Sequence, residues 1–280
     1  SVGGIAALLY GITRGGEHGW AEGITLGSFA IAAVLLPLFL RIQARGSDPL
    51  LPLGLFKNRD RFGSYSSILL LAFGPMGVFY LLTLHMQHVL AYSPIQTGLA
   101  WLPFGFGIIL GAGLTTKLGD RLSPRALAVT GMLISSVSIY SLSLIGLNTS
   151  YALHIMPAIF GVAFGFGMGV VSLTLTAVRG VQAQEAGIAS ALLNASQQIG
   201  VAFGLAILST IAISTTNFRM FNALQRLYES RESGDSVLLT SATDALVTGY
   251  GTALGAAALA IAFAALLAGM LIREKPSVKA

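Results

Sequence analysis

Long apolar stretches separated by short polar breaks run the length of this chain. Their lengths decide what they are. Residues 94–118 carry one charge, Lys117, at the very end. A helix of that length, rising about 1.5 Å per residue, crosses a hydrocarbon layer roughly 30 Å thick. The same criterion picks out segments at 24–40 (B), about 62–87 (C), 126–147 (E), 151–178 (F), 187–213 (G) and 247–272 (H), with 94–118 as D. Residues 1–12 (A) are apolar but too short to span, so A reads as the tail of a helix begun upstream. A polar, glycine-rich hairpin at 13–23 joins A to B as a helical pair. Segment C is expected to be interrupted at Gly74-Pro75. Residues 214–246 break the rhythm: Phe218, Phe221, Leu224 and Leu227 recur at helical spacing among charges, which predicts an amphipathic helix lying on the membrane.

Local chemistry sharpens the ends of D. Ser93 can cap the first turn, Pro94 fills a position whose missing N–H costs nothing, and Gln96 completes an S-x-x-Q capping box. At the other end Lys117, Asp120, Arg121 and Arg125 crowd around a Gly-Asp-Arg-Leu-Ser-Pro turn. The fold class is therefore all-α, a polytopic membrane protein. Composition agrees: 54% of the 280 residues are hydrophobic and 10% charged, where soluble proteins carry about a quarter charged. The absence of cysteine excludes a disulfide framework and thiolate chemistry.

A net charge of +5 raises the question of nucleic acid, but its distribution points to the lipid bilayer as partner instead. Alternating the connections puts Arg41, Arg45, Lys57, Arg59, Arg61, Lys117, Arg121, Arg125, Arg179, Arg273, Lys275 and Lys279 on one side. Arg14, Arg219, Arg226 and Arg231 fall on the other, twelve against four. The positive-inside rule makes the first side cytoplasmic, with the C-terminus inside and residues 214–246 outside.

Several patterns carry candidate chemistry. Glycines four apart recur at Gly161, Gly165 and Gly169, and as the pairs Gly107/Gly111, Gly200/Gly204 and Gly251/Gly255. Such faces let helices approach closely in lipid, and packing accounts for them better than solute contact does. Pro37, Pro75, Pro103 and Pro157 each free backbone groups within a span, either bending helices around a cavity or fitting local packing. Ser190, Asn194, Gln197 and Gln198 share one face of G; amides in hydrocarbon must meet protein or water, so this stripe lines a cavity or bonds a neighbouring helix. His85, His88 and His154 have no nearby carboxylate and read as interfacial polar residues rather than a metal site. No acid lies in the middle of any span from B to H, and no phosphate loop, nucleophile–base set or metal signature occurs, so enzymatic catalysis has no residues to run on.

A family resemblance arises at these residues. Lys117-Leu118-Gly119-Asp120-Arg121, with Arg125, resembles the second, degenerate copy of the G-x-L-A-D-R-x-G-R-[KR] loop of the major facilitator superfamily. Thr116, Ser123-Pro124 and Ala126 depart from that pattern. Gln87, Tyr92-Ser93-Pro94 and Gly98-Leu99-Ala100-Trp101-Leu102-Pro103 resemble a stretch of its fourteen-helix drug:proton antiporters, the EmrB/QacA-like subfamily, with Ala91 and Tyr92 departing. Gly187 to Ala191, Asn194 to Gly200, Gly204 and Ala206 resemble a further helix of that subfamily, and Pro52-Leu53 with Leu55-Phe56 before Arg59 its linker.

The resemblance implies an organisation. Residues 1–41 would be part of an extra helical pair, 42–61 a cytoplasmic linker, 62–272 the C-terminal six-helix bundle and 273–280 a cytoplasmic tail. The chain opens on Ser1 rather than Met and reads as the C-terminal part of a longer protein whose N-terminal six-helix bundle is a partner. It implies proton-driven export of hydrophobic or cationic small molecules across the cell membrane, with no cofactor or metal and with coupling acids in the other half. Asn194, Gln197, Gln198, Tyr80 and Gln87 are the candidate cavity residues, with Phe104 and Phe106 as apolar wall. Asp120, Arg121 and Arg125 are the candidate conformational loop. A facilitator of another solute, or a membrane module that transports nothing, stands as the alternative.

The topology is testable because the chain has no cysteine of its own. Single cysteines placed in 214–246 should react with an impermeant thiol reagent from outside intact cells, and those beside Lys57 or Arg121 only after permeabilisation. The opposite pattern overturns the orientation.

Overall fold

The computed structural model describes residues 2–45, 57–147, 149–179, 181 and 183–273, and every regular element among them is helical. In order these are α1 (Val2–His18), α2 (Gly23–Arg45), α3 (Arg59–Leu84), α4 (Pro94–Ala100), α5 (Leu102–Leu118), α6 (Pro124–Ser143), α7 (Met156–Val178), α8 (Ala183–Arg219), α9 (Ala223–Ser233) and α10 (Ser236–Leu271). Among the described residues, six stretches are long and apolar enough to cross a membrane: Arg59–Val89, Pro94–Leu118, Pro124–Ser143, Tyr151–Val178, Ala186–Arg219 and Ser236–Leu271. The protein is a multi-pass helical membrane protein. The Pro-Leu motif of the linker and the tail beyond Arg273 lie outside the described residues.

Capping chemistry sets the helix starts. Ser93 Oγ accepts from the Gln96 N–H (3.3 Å) while Gln96 Oε1 accepts from the Ser93 N–H (2.9 Å), closing the capping box. Asn58, Ser123 and Asp235 accept from first-turn N–H groups at the starts of α3, α6 and α10. The Asp235 cap lets α10 begin well before its apolar span, and α8 likewise runs on to Arg219. Bilayer thickness limits the apolar part of a helix, not the helix.

Prolines act differently at different sites. Pro103 cannot donate to the Leu99 carbonyl, so segment D breaks at Trp101, where the Trp101 and Phe104 N–H groups bond three residues back (3.2 and 3.0 Å). Pro75 does not interrupt α3 as expected; it and Gly74 are buried within a continuous helix. The turns at His85–Val89 and Tyr151–Ile155 are instead widened into π-helix. The hairpin joining α1 to α2 is also shorter than predicted: α1 continues to His18, and Arg14 clamps Glu22 through two 2.8 Å bonds across the turn.

The spans interlock as two triplets. α3 packs on α8 and α10, α7 packs on α5 and α6, and the triplets meet where α3 touches α7 and α6 touches α10. That reciprocity is the mark of an internal two-fold repeat. Glycines set the matching contacts. A Cβ on Gly107 would stand 2.7 Å from the Phe160 carbonyl oxygen and one on Gly111 would strike that of Phe164; on α8, Gly200 and Gly204 meet the Leu69 and Phe73 carbonyls in the same way. Ser135 donates to the Val162 carbonyl (3.1 Å) and Ser136 to that of Ala258 (2.8 Å), tying α6 to α7 and to α10. The α1–α2 pair leans on the bundle through α1 and α8.

The polar connection departs from its expected form. Phe218 ends α8 and is 93% exposed, and Phe221 sits in the following turn at 68%. Left-handed Asn222 (φ 55°) then restarts the helix as α9, so the four expected apolar residues never share one face. α9 buries Ala223, Leu227 and Ser230 against the bundle, with α10 as its main neighbour, rather than lying on the membrane.

The glycine contacts give a direct prediction. Gly204→Ala should push α8 off α3 and lower the unfolding temperature in detergent, at a cost of about 1–3 kcal/mol. Gly113→Ala, which meets nothing within 4 Å, should leave it unchanged or raise it. Equal effects of the two would refute the close-approach account.

Candidate functional site

A cleft of about 330 Å³ opens among α3, α5, α7 and α8. Its position follows from the packing just described. Gly200 and Gly204 draw α8 against α3, which sets Gln197 and Gln198, one turn earlier on α8, beside Pro75, Met76 and Phe79. Phe104 enters from α5 just past the Trp101 break, and Phe166 from α7. Trp101 fixes the aromatic wall from behind: its ring centroid lies 4.5 Å from that of Phe79 and 5.8 Å from that of Phe104, and its Nε1–H donates to Thr83 Oγ1 (3.1 Å).

The chemistry of this cleft is aromatic on three sides and amide on the fourth. No ionisable side chain lines it. Gln197 is half-buried and Gln198 exposed, and neither amide is engaged within the bundle. Both are therefore free to bond solute or water, while the ring faces offer contact to flat apolar or cationic groups.

Of the candidates named from sequence, Gln197, Gln198 and Phe104 meet here. Asn194 lies one turn earlier on α8, exposed and outside the cleft. Tyr80 turns to the other side of α3, where it lines two further cavities, and Gln87 sits half-buried in the widened turn after α3. Phe106 is two residues, hence about 200°, round α5 from Phe104 and is 64% exposed. Asp120 and Arg121 are exposed in the α5–α6 turn, and Arg125 is half-buried in the first turn of α6. At that same end a polar pocket of about 290 Å³ gathers Asp60, Arg61, Arg179 and Arg273, with Asp60 accepting the Arg273 backbone N–H (2.8 Å).

Phe79 and Phe166 were missed by the sequence reading. Phe79 carried a signal, four residues after Pro75 and so on its face; Phe166, in a helix apolar all round, carried none. The histidines also separate. His88 pairs with Tyr228 and His154 is exposed, but His85 is fully buried with both ring nitrogens unpartnered, because it continues the buried face of α3 set by Val78, Leu81 and Leu82 rather than reaching the interface. No three metal-ligating side chains come together among the described residues.

Two interlocked triplets of membrane-crossing helices around an uncharged, aromatic and amide-lined cleft define a bundle of the kind that builds membrane transporters. The chain belongs to the Major Facilitator Superfamily, whose family model matches residues 1–205. It is 32% identical over 276 residues to the puromycin resistance protein pur8 of Streptomyces alboniger, covering 98% of this chain and 52% of that protein. The lincomycin resistance protein of Streptomyces lincolnensis matches at 30% (74% of this chain, 43% of that protein), and the cephamycin export protein CmcT of Amycolatopsis lactamdurans at 32% (76% and 44%). The chain thus spans about half the length of the curated relatives it matches. Among solved structures, a bacterial homologue of the human lysosomal transporter Spinster, inward-facing and unoccupied, shares the fold with a TM-score of 0.61 at 18% identity, over 98% of this chain and 70% of that one.

Trp101 reports on the cleft. In a Trp20→Phe background, which leaves one tryptophan, a hydrophobic aromatic cation such as rhodamine 6G should quench its fluorescence saturably. Gln197→Ala should weaken that binding about 2–10-fold, the worth of one net hydrogen bond, without changing the unfolding temperature. Unchanged affinity with a lowered unfolding temperature would assign the amides to helix packing instead.

Proposed function

We propose that this chain is the C-terminal part of a fourteen-helix, proton-coupled exporter of hydrophobic, often cationic drugs. The observation that carries the proposal is the cleft itself: free glutamine amides facing aromatic rings, without a fixed charge, suit solutes that differ in shape but share apolar surface. Relatives named for antibiotic resistance and export support the solute class. On this reading 1–41 belong to an extra helical pair, 42–61 to a cytoplasmic linker, 62–272 to the second bundle and 273–280 to a cytoplasmic tail in the cell membrane. The cleft faces an N-terminal six-helix partner bundle.

Alternating access then rocks the two bundles about a site between them. Asp120, Arg121 and Arg125 act at the cytoplasmic end as a latch between conformations, too far along the helix to touch solute held at Gln197. No acid occupies the middle of a span here, so the proton carriers belong to the partner bundle.

The decisive experiment joins this chain to its N-terminal bundle in proteoliposomes carrying a pH-sensitive dye. Adding rhodamine 6G should release protons, and collapsing the proton gradient should abolish its accumulation. Solute movement without proton movement would replace the proposal with a facilitator, and binding without movement would replace it with a non-transporting membrane module.

A further inference from the structure

The bundle holds a second, larger cavity of about 680 Å³ at the α9 end, open on one side and bounded by α3, α8 and the first half of α10, with α9 as a partial lid. It shares no lining residue with the Gln197–Gln198 cleft. The lid is fastened at named points. Tyr228 OH and His88 Nδ1 lie 2.9 Å apart, and Arg231 donates to the His88 carbonyl (2.6 Å), which the widened turn leaves without a helical donor because the Tyr92 N–H bonds Met86 instead.

Two polar features inside this cavity have no protein partner. Tyr250 is only 6% exposed, lines the cavity, and makes no hydrogen bond through its hydroxyl. Its hydroxyl keeps access to the cavity and is a donor there with no competing protein acceptor. Asn222 stands at the N-cap position of α9, where an asparagine ordinarily caps the helix, yet its left-handed backbone (φ 55°, ψ 37°) leaves the first turn uncapped and places the residue on the cavity wall. Ala223, Leu224 and Gln225, the uncapped first turn, line the same space.

We propose that this cavity is a binding site for an uncharged aromatic small molecule rich in hydrogen-bond acceptors. Its donors are the Tyr250 hydroxyl, the Asn222 amide and the free N–H groups at the start of α9, whose helix end also carries partial positive charge. No Asp, Glu, Lys or Arg lines it, so a cation finds no counter-charge and faces the wrong end of a helix, while a full anion finds no basic side chain. Tyr80, Tyr228 and Tyr250 supply ring faces for a flat ligand, and the volume fits a drug-sized one. The site is a property of this chain and stands whether or not protons are coupled to transport.

The test uses the whole chain in lipid nanodiscs with tetramethoxyflavone as probe, which is neutral, aromatic and has only acceptor oxygens. Equilibrium dialysis against empty nanodiscs should show saturable binding that aromatic, acceptor-free tetraphenylphosphonium does not displace. Tyr250→Phe keeps the ring and Asn222→Gly keeps the left-handed backbone. Each should lower affinity about 2–10-fold, the loss expected for one hydrogen bond, at an unchanged unfolding temperature, while Gln197→Ala should not. Simple partition into lipid, full displacement by the phosphonium, unchanged affinity in both site variants, or a loss confined to Gln197→Ala would each overturn the proposal. Should one variant fail to fold, the other still decides.

Discussion

Helices in lipid gain nothing by hiding apolar surface from one another, since the surrounding tails are equally apolar. What holds this bundle is therefore proximity: backbones that come close enough for dispersion and carbonyl contacts to accumulate. Glycine at Gly107 and Gly111 opposite α7, and at Gly200 and Gly204 opposite α3, is the condition for that approach. Wherever such a pair lies, helix rotation is fixed, because only one face is smooth enough to dock.

The cleft inherits its composition from this constraint. With Gly200 facing α3, the residues two and three positions earlier are carried to the edge of the contact, where Gln197 and Gln198 stand against the aromatic wall. The wall is held by its own contacts, the Trp101–Thr83 hydrogen bond and the Trp101 ring set tilted against Phe79 and edge-on to Phe104. A rigid aromatic side facing movable amides is a division of labour suited to varied solutes.

Much of this was legible in the order of residues. Span lengths, the Ser93–Gln96 capping box, the glycine spacings and the family resemblance needed only local physics and pattern, and the helical class followed. Placement within the cleft was legible where one helix decides it, as with Gln197 and Gln198 sharing a face of α8. It was not legible where two helices must be docked first. Nothing local says that Phe104 faces the cleft while Phe106 turns away, or that Tyr80 belongs to a different cavity from Phe79. The polar connection misled for a related reason: periodicity among Phe218, Phe221, Leu224 and Leu227 presumes one helix, whereas Phe218 closes α8, Phe221 stands in the turn, and the left-handed Asn222 starts a new helix for Leu224 and Leu227. His85 was misplaced because its polarity was weighed above its register: it falls on the same helical face as Val78, Leu81 and Leu82, which only the docked bundle shows to be buried.

The interlocking of the triplets bears on how such a chain is made. α3 leaves the ribosome before every other helix of the bundle, yet its main partners, α8 and α10, are synthesised last, and α5 and α6 in between hardly touch it. Buried Ser67, which bonds the Ala264 carbonyl of α10, and the face that will receive Gly200 must wait in the membrane through at least the three spans inserted before α8. Assembly is thus gated by the end of translation, and a nascent bundle depends on lipid or on insertion factors to occupy the seat that α8 will take.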